Sequence, residues 1–368
     1  MKPRVHLLTN VPAPYRLPVF AELGREVQLT VCFGRAAAAD RRWQTSPLPD
    51  YVNSEFLPHR ALPLPGIELT WNSGYGRFLT AHPAAVYIAG ENVTDLPAVV
   101  ATLRAARRRR APFILWSEAI DTPYASGNRL SNAYRRWLYP QISVFLAYGR
   151  RAQEFLETRG APTNRILQGW QVVPPEQLPP PTRTRAQLGL DDTPIILAVG
   201  YLTTRKGFDL LIRAVQQLEG RAQLVIVGDG PERAALQQLA ASNGRIHFTG
   251  HQDGSARSDW YAAADLFVLP THHDPWGLVV NEAMAFGLPI IVSEAAGCAP
   301  DLVQDNGRIL PTNDVTTLTA ALADLLARPE ERRRMGQRSQ EIIAPYTVTR
   351  AAAAFVAAIE LAQRVADA

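Results

Sequence analysis

The sequence predicts an α/β protein built from two parallel-sheet halves, and three observations carry that prediction. Short apolar runs alternate with helical stretches twice, first over residues 4–159 and again over 195–292. A proline-dense stretch, 174–181 (PPEQLPPP), separates the two series. Glycine-bearing turns directly follow strands of the second series, where a parallel sheet offers its carboxyl edge to a ligand.

The bulk properties suit that class. A chain of 368 residues, 47% apolar and 20% charged, is long enough for two cores and ordinary for a globular protein. Two cysteines, Cys32 and Cys298, are too few for a disulfide framework, which points to a reducing, cytosolic setting. No signal-peptide pattern opens the chain, and no run approaches the ~20 apolar residues of a membrane span. The net charge of +4 hides an asymmetry. Residues 1–173 hold 21 Lys and Arg against 12 Asp and Glu, net +9; residues 174–368 hold 17 against 22, net −5. The basic half includes Arg107–Arg110 and the segment Tyr134-Arg-Arg-Trp-Leu138. These suit an anionic membrane surface, although a four-Arg run is equally the solvated end of a helix. No nucleic-acid motif accompanies the charge.

In order, residues 4–9 and 27–33 read as strands around a short helix at 18–24, with Asn10–Arg16 as the first strand-to-helix turn. Residues 35–82 lack periodicity and read as loops. Strands at 85–89, 113–116 and 143–147 follow, with helices at 96–110, 129–138 and 150–159. After the proline-rich linker (174–185), strands at 195–199, 224–227, 246–248, 265–269 and 290–292 alternate with helices at 207–218, 231–241, 257–263 and 277–286. Residues 314–327 form a helix. The final helix, 348–368, has no following strand and is expected to pack back on the first domain. The domains so drawn are 1–173 and 186–345, with 346–368 returning to the first.

The chemistry gathers in the second half. Gly200–Gly207 (GYLTTRKG) lies between a strand and a helix, where backbone amides with Arg205 and Lys206 suit phosphate. Lys206 and Lys2 are the only lysines among 38 basic residues, so a compact ammonium is singled out at position 206. Gly228-Asp-Gly230-Pro231 is a second close-approach turn, and Thr249-Gly-His251 ends a third strand at the same edge. In Thr271–Val292 (THHDPWGLVVNEAMAFGLPIIV), a polar loop carrying Asp274 leads to a helix beginning at Gly277. The Leu278 and Val279 amides open that helix, and Glu282 lies one turn in. The adjacent pair His272-His273 has the wrong spacing for metal chelation, and no metal is predicted.

These pieces, VGYLTTRKGFDLLIRA, LVIVGDGPE, HFTGH and DPWGLVVNEAMAFGLPIIVS, resemble in order the donor-binding domain of retaining family-4 glycosyltransferases. Those enzymes have the GT-B fold, two Rossmann-like domains facing each other across a cleft. The resemblance covers about residues 195–345 and extends loosely to the first half. It implies a nucleotide-diphosphate-sugar as donor substrate, no cofactor, and a glycan or polyprenyl-linked glycan acceptor made in bacterial polysaccharide or glycoconjugate synthesis. Arg205 and Lys206 would neutralise the departing diphosphate, capped by the Leu278 and Val279 amides. Glu282 would bind the ribose, Asp274 the sugar hydroxyls, and His251 would lie near the base. Gly200, Gly228, Gly230 and Gly277 complete the donor side. Two departures stand out: Tyr201 replaces the family's usual Arg, with Arg205 the candidate to restore that charge, and Asp274 replaces a Glu.

On the acceptor side, Asn10–Arg16 stands where the family often has a Gly-Gly loop, which makes Tyr15 and Arg16 acceptor candidates. Ser117-Glu118-Ala-Ile-Asp121 stands where the family often has a His, so Glu118 is the first polar catalytic candidate and Asp121 the second. The resemblance implies a front-face mechanism in which the leaving phosphate takes the acceptor proton. The alternative is a covalent intermediate on Glu118 or Asp121. A sugar-nucleotide epimerase and a non-catalytic sugar-nucleotide-binding protein are the competing functions. The basic first half predicts peripheral attachment to the inner face of the plasma membrane.

Overall fold

The computed structural model describes all residues except 38–46, 65–66, 125–128, 242 and 368. The chain forms two compact units, one of residues 1–120, 127–172 and 347–368, the other of 121–126 and 173–346. Both are α/β.

The first unit opens with β1 (Arg4–Thr9), α1 (Leu17–Glu26), β2 (Gln28–Phe33) and β3 (Asn53–Phe56). A hairpin follows, β4 (His59–Leu64) with β5 (Ile67–Asn72), and then α2 (Tyr75–Ala81). Next come β6 (Val86–Gly90), α3 (Leu96–Arg109), β7 (Phe113–Ser117), α4 (Arg129–Leu138), β8 (Val144–Tyr148), α5 (Gly149–Glu157) and β9 (Ile166–Gly169). Seven parallel strands lie in the order β3-β2-β1-β6-β7-β8-β9. Chain order reverses between β1 and β6, which places the turns after those strands at the sheet's ligand-binding crevice.

The second unit contains β10 (Ile195–Val199), α6 (Phe208–Gln216), β11 (Gln223–Val227), α7 (Arg233–Ala240), β12 (Ile246–Gly250), α8 (Gly254–Ala263) and β13 (Leu266–Leu269). It continues with α9 (Leu278–Ala285), β14 (Ile290–Ser293), α10 (Ala299–Leu302), β15 (Gly307–Leu310), α11 (Val315–Leu326) and α12 (Pro329–Ile343). Its parallel sheet runs β12-β11-β10-β13-β14-β15, so its reversal falls between β10 and β13. The central strands β10, β11, β13 and β14 are buried along their whole length, as strands covered on both faces must be.

The last helix, α13 (Val348–Asp367), belongs to the first unit and lies against α1, β7 and β8. Phe355 on α13 is buried, its ring 5.5 Å from that of Trp116 and 6.5 Å from that of Phe20.

Three features differ from expectation. Within 35–82, β3, the β4–β5 hairpin and α2 replace the predicted loops. β9, β15 and α12 were not foreseen. The proline-rich stretch also does more than space the units. Asp259 on α8 is fully buried and accepts from the Arg183 amide at 2.9 Å and from Arg183 Nε at 2.7 Å, riveting the stretch to the second unit.

Candidate functional site

Two loops meet at the reversal point of the second sheet. The β10–α6 loop ends at Gly207, whose φ is 65°. An added Cβ there would lie 2.2 Å from the Pro270 carbonyl oxygen, so only glycine lets the two loops touch. Thr271 Oγ1 and the His272 amide both donate to the Arg205 carbonyl, at 2.9 and 2.8 Å. Arg205 Nη1 donates to the His273 carbonyl at 2.7 Å. At the centre, Lys206 Nζ lies 2.5 Å from Asp274 Oδ2, and both side chains are buried. Burial opposes charge on Asp274, but Lys206, then Arg205 and the Trp276 amide, hold its carboxyl below the usual range. Burial and then Arg205 lower the pKa of His273, whose Nδ1 lies 3.0 Å from Thr122 Oγ1.

A third loop braces Asp274 from behind. Its amide donates to the Ala295 carbonyl at 3.1 Å, and its carbonyl accepts from the Gly297 amide at 2.8 Å. Gly277, with φ of 95°, turns the chain into α9. The Leu278 and Val279 amides are the first of that helix and have no intrahelical partner by geometry. A helix terminus, Arg205 and Lys206, the last balanced by Asp274, are groups suited to a diphosphate.

Gly228 and Gly230 serve backbone packing. A Cβ on Gly228 would lie 1.9 Å from the Gly200 oxygen, and one on Gly230 would lie 2.5 Å from the Leu202 oxygen. The Leu202 amide in turn donates to the Asp229 carbonyl at 2.9 Å. These glycines press the β11 turn onto the Gly200–Leu202 backbone. His251 stands exposed just beyond β12 with its Nε2 2.7 Å from Asp253. Tyr201 is half-buried.

Glu282 lies on the buried face of α9, four residues beyond Leu278. Tyr261 donates its hydroxyl to Oε2 at 2.7 Å, and Arg257 Nη1 lies 3.5 Å from Oε1. Neither partner was anticipated from the sequence. Their i, i+4 spacing, which puts both on one face of α8, was the available signal.

In the first unit, three predicted residues come together. Arg16 is buried, its Nη2 3.2 Å from Glu118 Oε1 and its guanidinium 4.8 Å from the Trp116 ring centre. Arg16 Nη1 also donates to Asn10 Oδ1 at 3.2 Å. Tyr15 lies beside it, its ring centre 5.4 Å from the guanidinium. Gln171 donates to the other oxygen of Glu118. Asp121 is exposed and falls in the second unit. A second buried cluster escaped the sequence reading. Glu91, just after β6, accepts from Arg135 Nε at 2.6 Å and from the Tyr139 hydroxyl at 3.1 Å.

That pairing takes Arg135 away from the surface. On α4 the exposed face is Arg129, Leu130, Ala133, Arg136 and Trp137, with Leu130 81% and Trp137 49% exposed. Residues 107–110 are exposed at the carboxyl end of α3, where arginines complement the helix dipole. Among the described residues, no single helix is long and apolar enough to cross a membrane.

Residues 182–342 match the family described as glycosyl transferases group 1. Alpha-D-kanosaminyltransferase of Streptomyces kanamyceticus is 27% identical over 290 residues, covering 77% of this chain and 67% of that protein. A Mycolicibacterium smegmatis protein, GDP-mannose-dependent alpha-(1-6)-phosphatidylinositol monomannoside mannosyltransferase, is 34% identical over 169 residues, 42% of this chain and 44% of its own length. The chain thus spans between under half and two thirds of the length of these relatives. Anabaena HepE, solved with UDP and glucose, has a TM-score of 0.72 at 16% identity, covering 99% of this chain and 98% of that one. At that identity the likeness is one of fold. Residues 182–342, most of the second unit, thus match the glycosyl transferases group 1 family, and the two Rossmann-like units are those of the GT-B fold.

Proposed function

We propose that this chain is a retaining, metal-independent glycosyltransferase that moves a sugar from a nucleotide-diphosphate-sugar to a glycan or lipid-linked glycan. The observation that carries the reading is the buried Lys206–Asp274 pair with Arg205, set at the reversal point of the sheet beside the open amides of α9. Such a lining stabilises the charge that develops on a leaving diphosphate. On this reading the bond from the sugar's anomeric carbon to the phosphate oxygen breaks as the acceptor oxygen bonds on the same face. The acceptor proton passes to the leaving phosphate. Arg205, Lys206 and the amides hold the leaving group, Asp274 contacts the sugar, and Glu282 takes the ribose. Glu118 is already engaged by Arg16 and Gln171, which disfavours it as a nucleophile and favours a bracing role.

The relatives suggest the partners. HepE is solved with UDP-glucose, and the mycobacterial relative is named for a phosphatidylinositol mannoside. An acceptor of that kind suits the exposed Leu130, Trp137, Arg129 and Arg136 face, which fits an anionic bilayer at the inner face of a bacterial plasma membrane. Donor stabilisation tests the core of the proposal. A panel of UDP-, GDP-, ADP- and TDP-sugars is expected to raise the melting temperature for one base class. Slow donor hydrolysis should then fall in Lys206→Ala and Glu282→Ala. Hydrolysis unchanged in both variants would remove these residues from the site. An epimer formed without acceptor would replace transfer with epimerisation, and binding without any turnover would leave a sugar-nucleotide-binding protein, the reading that the Tyr201 departure leaves open.

A further inference from the structure

We propose that Arg257 is a positioning residue for the nucleotide: it holds the Glu282 carboxylate as a charged acceptor aimed at the ribose diol. The inference rests on the donor site proposed above and goes beyond it, because Arg257 lies outside every motif of that site.

Glu282 is buried, and a buried carboxylate without a cation is unstable as the charged form. Lys206 is committed to Asp274. Among the described residues the cation recorded against Glu282 is Arg257, at 3.5 Å. Arg257 is itself fixed at its far side, where Nη2 donates to the Gln177 carbonyl at 2.9 Å in the proline-rich stretch. The guanidinium therefore spans from that stretch to Glu282 as a short strut, with Tyr261 at the second carboxylate oxygen, 2.7 Å away.

Counting acceptors makes the arrangement specific. An ionised carboxylate offers about four lone-pair sites. Tyr261 occupies one on Oε2 and Arg257 faces one on Oε1, which leaves about two. A ribose 2′,3′-diol donates two hydrogen bonds. A carboxylate left unheld would be free to turn away, and Arg257, tied to Gln177, prevents this without touching the nucleotide.

The test is the binding penalty for deleting a ribose hydroxyl. UDP, GDP and ADP are titrated calorimetrically into the full-length protein, each against its 2′-deoxy counterpart. Wild type is expected to favour the ribonucleotide of its preferred base by about tenfold, a 1.4 kcal/mol difference. Arg257→Ala should bind the ribonucleotide more weakly and shrink that preference to about twofold or less. Arg257→Lys, which keeps a charge but cannot form the strut to Gln177, should fall between. General damage to the fold would weaken ribo and deoxy forms alike and leave their ratio intact. A wild-type ratio in Arg257→Ala or Arg257→Lys overturns the positioning role while the donor site stands. Failure of wild type to bind any of the three diphosphates overturns both. Should Arg257→Ala not fold, Arg257→Gln and Arg257→Lys decide by the same ratio.

Discussion

The Lys206 ammonium meets the Asp274 carboxylate at 2.5 Å, and both are buried although one follows the β10 turn and the other the β13 turn. The pair locks together the two loops that flank the reversal of the sheet. Removing one partner strands the other charge. Lys206→Met should lower stability by about 3–5 kcal/mol, read by urea unfolding. The double variant Lys206→Met with Asp274→Leu should regain most of that loss and none of the donor turnover. Lys206→Met alone should reduce donor turnover by ~10²-fold or more, the scale for losing one charge-stabilising group.

The same pair sets an acid limit. The folded-state pKa of Asp274 is held down, so its contribution is complete above the unfolded value of about 3.9 and is lost as pH falls through the folded value. In Lys206→Met the main opposing cation is gone and burial acts on the carboxyl in the raising direction. Protonation then relieves the variant. The stability gap between wild type and Lys206→Met should therefore narrow as pH is lowered from 7 to 4, measured by denaturant titration at each pH. A constant gap would show that Asp274 is not the charge left stranded.

The Arg16–Glu118 pair separates bracing from nucleophilic catalysis. Glu118→Gln keeps the shape and an acceptor for Arg16, whose guanidinium stays over Trp116. It should retain turnover within about tenfold while Arg16→Ala loses about 3 kcal/mol of stability. A fall in turnover of ~10⁴-fold in Glu118→Gln, with a normal melting temperature, would instead mark a covalent role.

Gly228 is constrained by space as well as by its φ of 148°. A methyl group there would press within 1.9 Å of the Gly200 oxygen, and backbone has little room to yield. Gly228→Ala should cost at least ~2 kcal/mol and weaken nucleotide binding by displacing the 200–207 loop. A variant as stable as wild type would mean that the β11 turn relaxes at no cost.

The α4 face predicts how the protein meets a bilayer. Wild type should sediment with vesicles rich in anionic phospholipid at low salt and release as salt rises. The double change Trp137→Ser with Arg136→Glu should abolish pelleting and leave donor binding intact. Pelleting that survives it, or absence of pelleting by wild type, would exclude this face.

The second unit was the more readable because its inner strands are unbroken apolar runs and its turns carry glycines and charges at fixed places. β15 was missed because it is an outer strand with mostly half-buried residues, where no run stands out. α12 hid behind its polarity, burying only Met335, Gly336, Ser339 and Ile342 of fifteen residues. The β4–β5 hairpin is irregular in pattern because it stands outside the parallel sheet. Within the site, Lys206 was conspicuous through rarity, and Asp274 and Glu282 through their eight-residue spacing. Arg257 gave only the weaker cue of its i, i+4 spacing to Tyr261: 25 residues separate it from Glu282, and tertiary packing brings the charges together. The Arg16–Glu118 contact, across 102 residues, shows the same gap.

The helix α13 also bears on the order in which the molecule is made. It supplies Phe355 to the wall formed by Phe20 and Trp116, yet the ribosome makes it after the whole of residues 173–346. The later-made unit is nearly continuous in sequence and can close while α13 is still in the exit tunnel. The earlier-made one must wait, with an apolar strip uncovered, for about the time needed to translate some two hundred further residues, on the order of ten seconds or more. Nascent chains of this protein are thus expected to bind chaperones through the first unit until α13 has emerged.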